Sequence, residues 1–120
     1  MDFTIDALIE ECKQLPQPDL GIIHHFSGGV YAKQMHIRKD HVVVSHKHEH
    51  DHMSILAYGS VLVQTDDSDQ EYTAPACIEI KKNVHHAIIA LEDTVWYCIH
   101  ATDETDADKV DEVLIKKEGI

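Results

Sequence analysis

The chain has 120 residues, 43% of them hydrophobic, which is enough for one domain with one modest core. Its formal net charge is −12 at pH 7 with the histidines neutral, and this charge repels phosphate backbones and anionic membrane surfaces. No apolar run reaches the roughly 18 residues that span a bilayer, so we expect neither a nucleic acid nor a membrane as a partner.

The cysteines and the first residues bear on the cellular compartment. Cys12, Cys77 and Cys98 are an odd, sparse set, and none belongs to a Cys-x-x-Cys pair. This excludes a disulfide framework and a zinc ribbon and favours a reducing environment. Residues 1–6 are acidic where a signal peptide would be basic, so we expect a cytoplasmic protein. Cys77 and Cys98 fall in predicted strands, where such residues usually fill small core positions.

The first predicted element is a helix at about residues 4–15. Apolar side chains recur there at helical spacing, and Pro16 and Pro18 end the pattern. A second helix is predicted at about 105–118, where Thr105 and Asp108 have capping-box spacing. Between the helices we expect one β-barrel at about 21–101, so that residues 1–120 form a single domain.

The central region reads as seven or eight short β-strands. The segments are rich in Val, Ile and Tyr and are separated by turn clusters such as Gly59-Ser60 and Lys82-Asn83. This spacing is typical of an all-β sandwich or barrel. The predicted strands lie at about 29–37, 41–48, 53–65, 71–72, 76–80, 85–91 and 95–100.

A histidine-rich tract at residues 46–52 indicates where chemistry could occur. On a strand, His46 and His48 lie on one face because side chains alternate, and a short turn can return His52 to the same site. The tract therefore predicts a metal centre on a β scaffold; the alternative is an exposed loop that chelates adventitiously. His50, in the turn, is either a spare residue or a substitute for His52.

Alternation along the strands predicts which side chains accompany the histidines into the interior. Val42 and Val44 are expected to face inward with His46 and His48. Tyr58 is the best aromatic candidate for catalytic proton transfer, because it shares the side of His52. The other predicted companions are Ser54 and Leu56 with His52, and Ile88 and Ala90 with His86.

The remaining histidines receive less specific predictions. His24 and His25 are expected at the surface or at the barrel rim. His36 could reach the interior from its strand. His100 either lines the barrel or is a structural histidine with its hydrogen bonds satisfied.

The spacing His46-x-His48-x3-His52-x6-Gly59 resembles the first motif of the cupin family, with His52 where cupins usually have Glu. The second cupin motif, Pro-x-Gly-x2-His, is similar to residues 81–86. Here Lys81 replaces the proline, and Asn83, which tolerates the left-handed conformation, replaces the glycine. His86 takes the histidine position, with His85 as the alternative. Residues 26–32 and 90–106 also resemble small cupin-type proteins of tailed phages and bacteria.

The resemblance implies a cupin-type double-stranded β-helix, or jelly roll, that binds one metal ion. The implied ligands are His46, His48, His52 and His86. Four neutral imidazoles suit a divalent transition metal such as Zn, Fe, Ni or Mn, in a site that is either closed or open to a further ligand.

Three functions fit these expectations. The leading one is a small cupin that acts on a small organic molecule, by dioxygenase-like chemistry or by Lewis-acid isomerase or lyase chemistry. The alternatives are a non-catalytic metal- or ligand-binding module and a phage-type structural or interaction protein. Cupins commonly pair through their sheets, so we also expect a homodimer, with residues 87–90 as candidate surface.

Overall fold

The computed structural model describes residues 7–8, 19–45, 51–102 and 105–106. These residues form nine β-strands, which confirms the predicted all-β class and adds β1, absent from the predicted set. The strands are β1 (Ile23–Ser27), β2 (Val30–Ile37), β3 (Val42–Ser45), β4 (His52–Tyr58), β5 (Ser60–Gln64), β6 (Asp69–Thr73), β7 (Ala76–Ile80), β8 (His86–Ala90) and β9 (Thr94–Ala101).

The terminal helices fall mostly outside this described part. Ala7 and Leu8 are helical, as predicted for residues 4–15. Thr105 and Asp106 are not helical, and the rest of the predicted helix at 105–118 lies outside the described residues. No helix of the described residues is long and apolar enough to cross a membrane.

The strands form two antiparallel sheets. The five-stranded sheet has the order β1-β2-β9-β4-β7, and the four-stranded sheet has the order β3-β8-β5-β6. Chain neighbours β3 and β4 lie in different sheets, as do β8 and β9, so the chain passes repeatedly from one layer to the other. This is the two-layer architecture expected of a jelly roll.

The hydrophobic core lies between the two sheets. Trp96 and Leu56 are fully buried at its centre and come from the neighbouring strands β9 and β4. Opposite them, Val61 and Ile88 come from the smaller sheet. Alternation explains this arrangement, because one face of each strand supplies apolar side chains to the interlayer space. The other buried members of the cluster are Met35, Ile37, Val63, Ile78, Ile80 and Ala90.

Strand β3 does not have the predicted orientation. Val43, rather than Val42 or Val44, packs against the core, where its register partner on β8 is the buried Ile88. The prediction was wrong because three consecutive valines carry no alternation from which a face could be read. The inward orientation of His46 and His48 therefore has no support from β3, and both residues lie outside the described part of the chain.

Candidate functional site

Three buried histidines lie on strands that line the interlayer space. His52 begins β4, His86 begins β8 and His100 lies near the end of β9; their exposed fractions are 7%, 5% and 7%. Ser54 and Leu56 are buried with His52, and Ile88 and Ala90 with His86, as alternation predicts. Imidazoles from both sheets thus point into the sandwich.

His52 and His100 are in contact across neighbouring strands. The β4–β9 register pairs Met53 with Ile99, which places His52 and His100 opposite each other at the next position. Their ring centroids are 4.2 Å apart, with the planes inclined by 35°. Of the two roles considered for His100, the structure therefore supports lining of the interior.

A group of stacked rings continues from His100 towards the sheet edge. Tyr31, on β2, is 1% exposed and stacks on His100 with centroids 6.1 Å apart and planes inclined by 18°. Phe26 stacks on the other side, at 5.1 Å. His24 is exposed, as predicted for the rim, and its Nδ1 is 2.7 Å from the Tyr31 hydroxyl. The stack fixes the ring planes of His100 and Tyr31 beside His52.

His86 has a defined tautomer. Its Nδ1 lies 3.0 Å from the carbonyl oxygen of Val84, and because a carbonyl can only accept, Nδ1 carries the proton. In the neutral ring the lone pair is then on Nε2, the arrangement that a metal-binding histidine needs. Burial lowers the pKa of His86; the Val84 hydrogen bond acts in the opposite direction, and the charge of His85 adds to the lowering. His86 is therefore neutral near pH 7.

The lowered pKa of His86 predicts how stability depends on pH. As pH falls below about 6.5, the ordinary value, the unfolded chain takes up a proton on His86 before the folded chain does. The contribution of neutral His86 to stability is therefore present above that pH and is lost as pH falls through the lowered pKa. Urea unfolding of metal-free protein at successive pH values should show this loss, and it should be smaller in His86→Gln than in His25→Gln. An equal loss in both variants would contradict the assignment.

The two sequence motifs are connected through Asp51. Its carboxylate accepts a hydrogen bond of 2.7 Å from the backbone N–H of Lys82, in the turn before β8. In that turn Asn83 has a φ of 60°, the left-handed conformation predicted for the glycine position. One oxygen of the Asp51 carboxylate is thus engaged with the backbone of this turn. The hydrogen bond holds the turn that leads to His86 beside the start of β4.

A thiol and a hydroxyl lie on the same inner face as His52. The Ser54 hydroxyl donates to the sulfur of Cys98 over 3.8 Å, and Lys33 is the register partner of Cys98 on β2. Burial raises the pKa of the Cys98 thiol, whereas the hydrogen bond from Ser54 acts in the opposite direction. Cys98 packs against the core, as predicted, as an uncharged thiol.

Two predicted interior residues are outside. Tyr58 is 65% exposed, because the β4–β9 register shifts between Leu56 and Tyr58 and this irregularity ends the alternation. Its predicted place beside His52 was wrong. Cys77 is exposed rather than in the core, because its neighbours Ile78 and Ile80 take the inward positions of β7. His36 also faces outward, between the buried Met35 and Ile37.

The described residues alone do not complete a metal centre. Within them, no group of three or more His, Cys, Asp or Glu side chains is placed to hold a metal ion. Of the predicted ligands, His52 and His86 are described, whereas His46, His48 and the alternative His50 lie outside the described residues. The chemistry of the two described donors fits a transition metal, since both are buried imidazoles on facing sheets.

No protein-family model matches the chain, and no curated protein matches it significantly. Solved structures resemble its fold. A cupin-2 domain protein from Shewanella frigidimarina is 16% identical with a TM-score of 0.59, covering 79% of this chain and 92% of that one. A cupin 2 domain-containing protein from Halorhodospira halophila is 16% identical with a TM-score of 0.60, covering 83% and 79%.

A further structural neighbour is the salicylate 1,2-dioxygenase of Pseudoaminobacter salicylatoxidans, 9% identical with a TM-score of 0.62. The match covers 79% of this chain and 29% of that protein. At these identities the similarity shows the fold alone. The chain therefore has the predicted cupin-type jelly-roll fold, and the closer resemblance to proteins of tailed phages and bacteria stays a prediction.

Proposed function

We propose that the chain binds one divalent transition metal ion between its two sheets and acts with it on a small organic molecule. The proposed ligands are His46, His48, His52 and His86. The observation that carries the proposal is His86, a buried imidazole held neutral, with Nδ1–H fixed on the carbonyl of Val84. Such a hydrogen bond sets ring orientation and tautomer in metal-binding histidines, which leaves Nε2 as the ligand atom.

The other residues would support this site by excluding water and fixing ring orientation. His100 covers one side of the His52 ring, and Tyr31 is stacked behind His100. Asp51 keeps the turn before His86 in place through the N–H of Lys82. When bound, the metal would supply Lewis-acid or oxygen chemistry, of which the dioxygenase of similar fold is one example.

The second candidate is a non-catalytic binding module. The observation that favours it is the exposed position of Tyr58, since this removes the one residue predicted to transfer a proton in the interior. Proton transfer in an enzyme would then fall to buried groups such as His100 or Tyr31. The two candidates differ in turnover, because a binding module would retain the metal and a ligand without consuming the ligand.

Metal analysis of untagged protein purified without a nickel column tests metal binding, which both candidate functions require. We expect about one metal ion per chain, retained through gel filtration. A metal-free protein that also fails to take up Zn, Fe, Ni or Mn on addition would contradict the proposal. Oxygen uptake by the loaded protein in the presence of aromatic acids would distinguish an oxygenase from the binding module.

We also propose that the chain forms a homodimer through the outer face of the five-stranded sheet. Three large apolar side chains on this face are more than 40% exposed: Ile23, Val30 and Met53. The surface suggested from the sequence, 87–90, is unsuitable because Ala87, Ile88 and Ala90 are buried within the chain.

Light scattering should give twice the 13.6 kDa mass of one chain. Met53→Glu should shift the equilibrium to monomer, because it introduces a charge at the contact. Gln70→Glu, exposed in the other sheet, is the matched control and should not change the mass. A wild-type protein that stays monomeric at micromolar concentration would contradict the proposal.

A further inference from the structure

A cleft of about 240 Å³ lies on the outside of the molecule, away from the interior histidines. It is lined by Asp19, Leu20, His36, Arg38 and His41. His36 faces outward from β2, and Arg38 follows two residues later. The interior histidines lie elsewhere. On β2 the residue that pairs with His100 is Tyr31, which is five residues from His36, or roughly 17 Å away along a strand.

Backbone hydrogen bonds hold the cleft in shape. The N–H of His41 donates to the carbonyl of Arg38 over 3.0 Å, closing a turn in which Asp40 has a φ of 69°. This turn brings His41 back beside Arg38. It is tied to β8 because the N–H of Asp40 donates to the carbonyl of Ala90. On the other side, the N–H of His36 donates to the carbonyl of Leu20 over 2.7 Å. The lining is therefore preorganised.

The cleft does not share the strongly negative charge of the chain, because the formal charges of Asp19 and Arg38 in its lining cancel. Arg38 is the only arginine in a sequence of net charge −12, and it lies between two histidines. Within the described part of the chain, no carboxylate forms an ion pair with Arg38. The nearby Asp19 carboxylate instead accepts the backbone N–H of Gly21 over 2.9 Å. A guanidinium that pairs with none of the described carboxylates, in a preorganised cleft, is suited to an anion from solution.

We propose that this cleft binds a small oxyanion of carboxylate or phosphate type, with Arg38 as the anchoring residue. The guanidinium fork presents paired N–H donors that match two oxygens of such a group. His41 donates Nδ1–H to the carbonyl of Lys39 over 3.2 Å, so its ring is held at the cleft wall. Asp19 disfavours ligands of high negative charge, which restricts the site to a single oxyanion rather than a polyphosphate.

The single arginine provides a direct measurement. We suggest an NMR titration of the full chain at constant ionic strength. Because the sequence has one arginine, the spectrum contains a single arginine Nε–H signal, that of Arg38. We expect it to shift saturably with inorganic phosphate or with acetate, with a Kd of about 1 mM. Saturation with phosphate alone, or with acetate alone, identifies the class of oxyanion that the cleft prefers.

Two variants at adjacent positions separate recognition of the oxyanion by the guanidinium from a general effect of positive charge. Arg38→Lys keeps the charge but loses the fork, and binding followed at the amide of His41 should weaken at least about tenfold. Lys39→Gln removes a charge from the same turn but leaves the fork, and the Kd should stay within about twofold. The proposal is overturned if the wild-type shift stays linear to about 50 mM, or if Lys39→Gln weakens binding as much as Arg38→Lys does.

Discussion

His52→Asn and His86→Gln are each expected to remove stoichiometric metal from the protein. Loss of one of the four histidines that bind the metal directly should lower the metal affinity by well over tenfold. Even the loss of a residue that only hydrogen-bonds to a metal ligand costs about 10–100-fold in affinity. The same loss is expected for His48→Ala, from the sequence motif. The measurement is the metal content of each variant after dialysis, at equal protein concentration.

The matched control for these variants is His25→Gln. His25 lies on the outer face, where its Nε2 is 2.9 Å from the amide oxygen of Gln34, and its loss should leave the metal content unchanged. Circular dichroism of all variants separates loss of metal from loss of fold. If His52→Asn and His86→Gln are folded and keep their metal, the ion is held by the histidine-rich tract at 46–50, and the interior site does not exist.

The contrast between β4 and β3 shows what the sequence can determine. In β4, the position of His52 in the motif indicated which face is inside, and the alternation of side chains then placed Ser54 and Leu56 correctly on that face. In β3, Val42, Val43 and Val44 are equally apolar, and only pairing with β8 decides which one is inside. Tyr58 failed for a different reason, since a register shift inside a strand leaves no trace in residue types.

The contact of His52 with His100 could not be read from local pattern. The two residues are 48 positions apart, and they meet because β4 and β9 are neighbours in the five-stranded sheet. The same holds for the Arg38 cleft, whose Asp19 side is positioned by a hydrogen bond between Leu20 and His36. Motif spacing located His52 and His86 because motifs are local, whereas residues gathered by sheet order require the topology.

Gly59→Ala is expected to be the most destabilising of the simple substitutions. Gly59 connects β4 to β5 with a φ of +90°, a conformation that L side chains rarely adopt. An added Cβ would lie 2.7 Å from the Thr94 hydroxyl oxygen, and it would come closer still to the carbonyl oxygen of Asp93. Backbone strain and overpacking together should lower the free energy of unfolding by roughly 2–6 kcal/mol.

The neighbours of Gly59 cannot easily move aside. The Asp93 carboxylate accepts the N–H of Lys39 over 3.0 Å, and Thr94 is 3% exposed, with its hydroxyl donating to the carbonyl of Glu92 over 2.9 Å. Gly28→Ala is the matched control, because nothing lies within 4 Å of a Cβ at that exposed turn. Urea unfolding should show a large loss for Gly59→Ala and a change within about 0.5 kcal/mol for Gly28→Ala. Equal stability of the two variants would mean that the β4–β5 turn has another conformation, in which Gly59 is not pressed against Asp93.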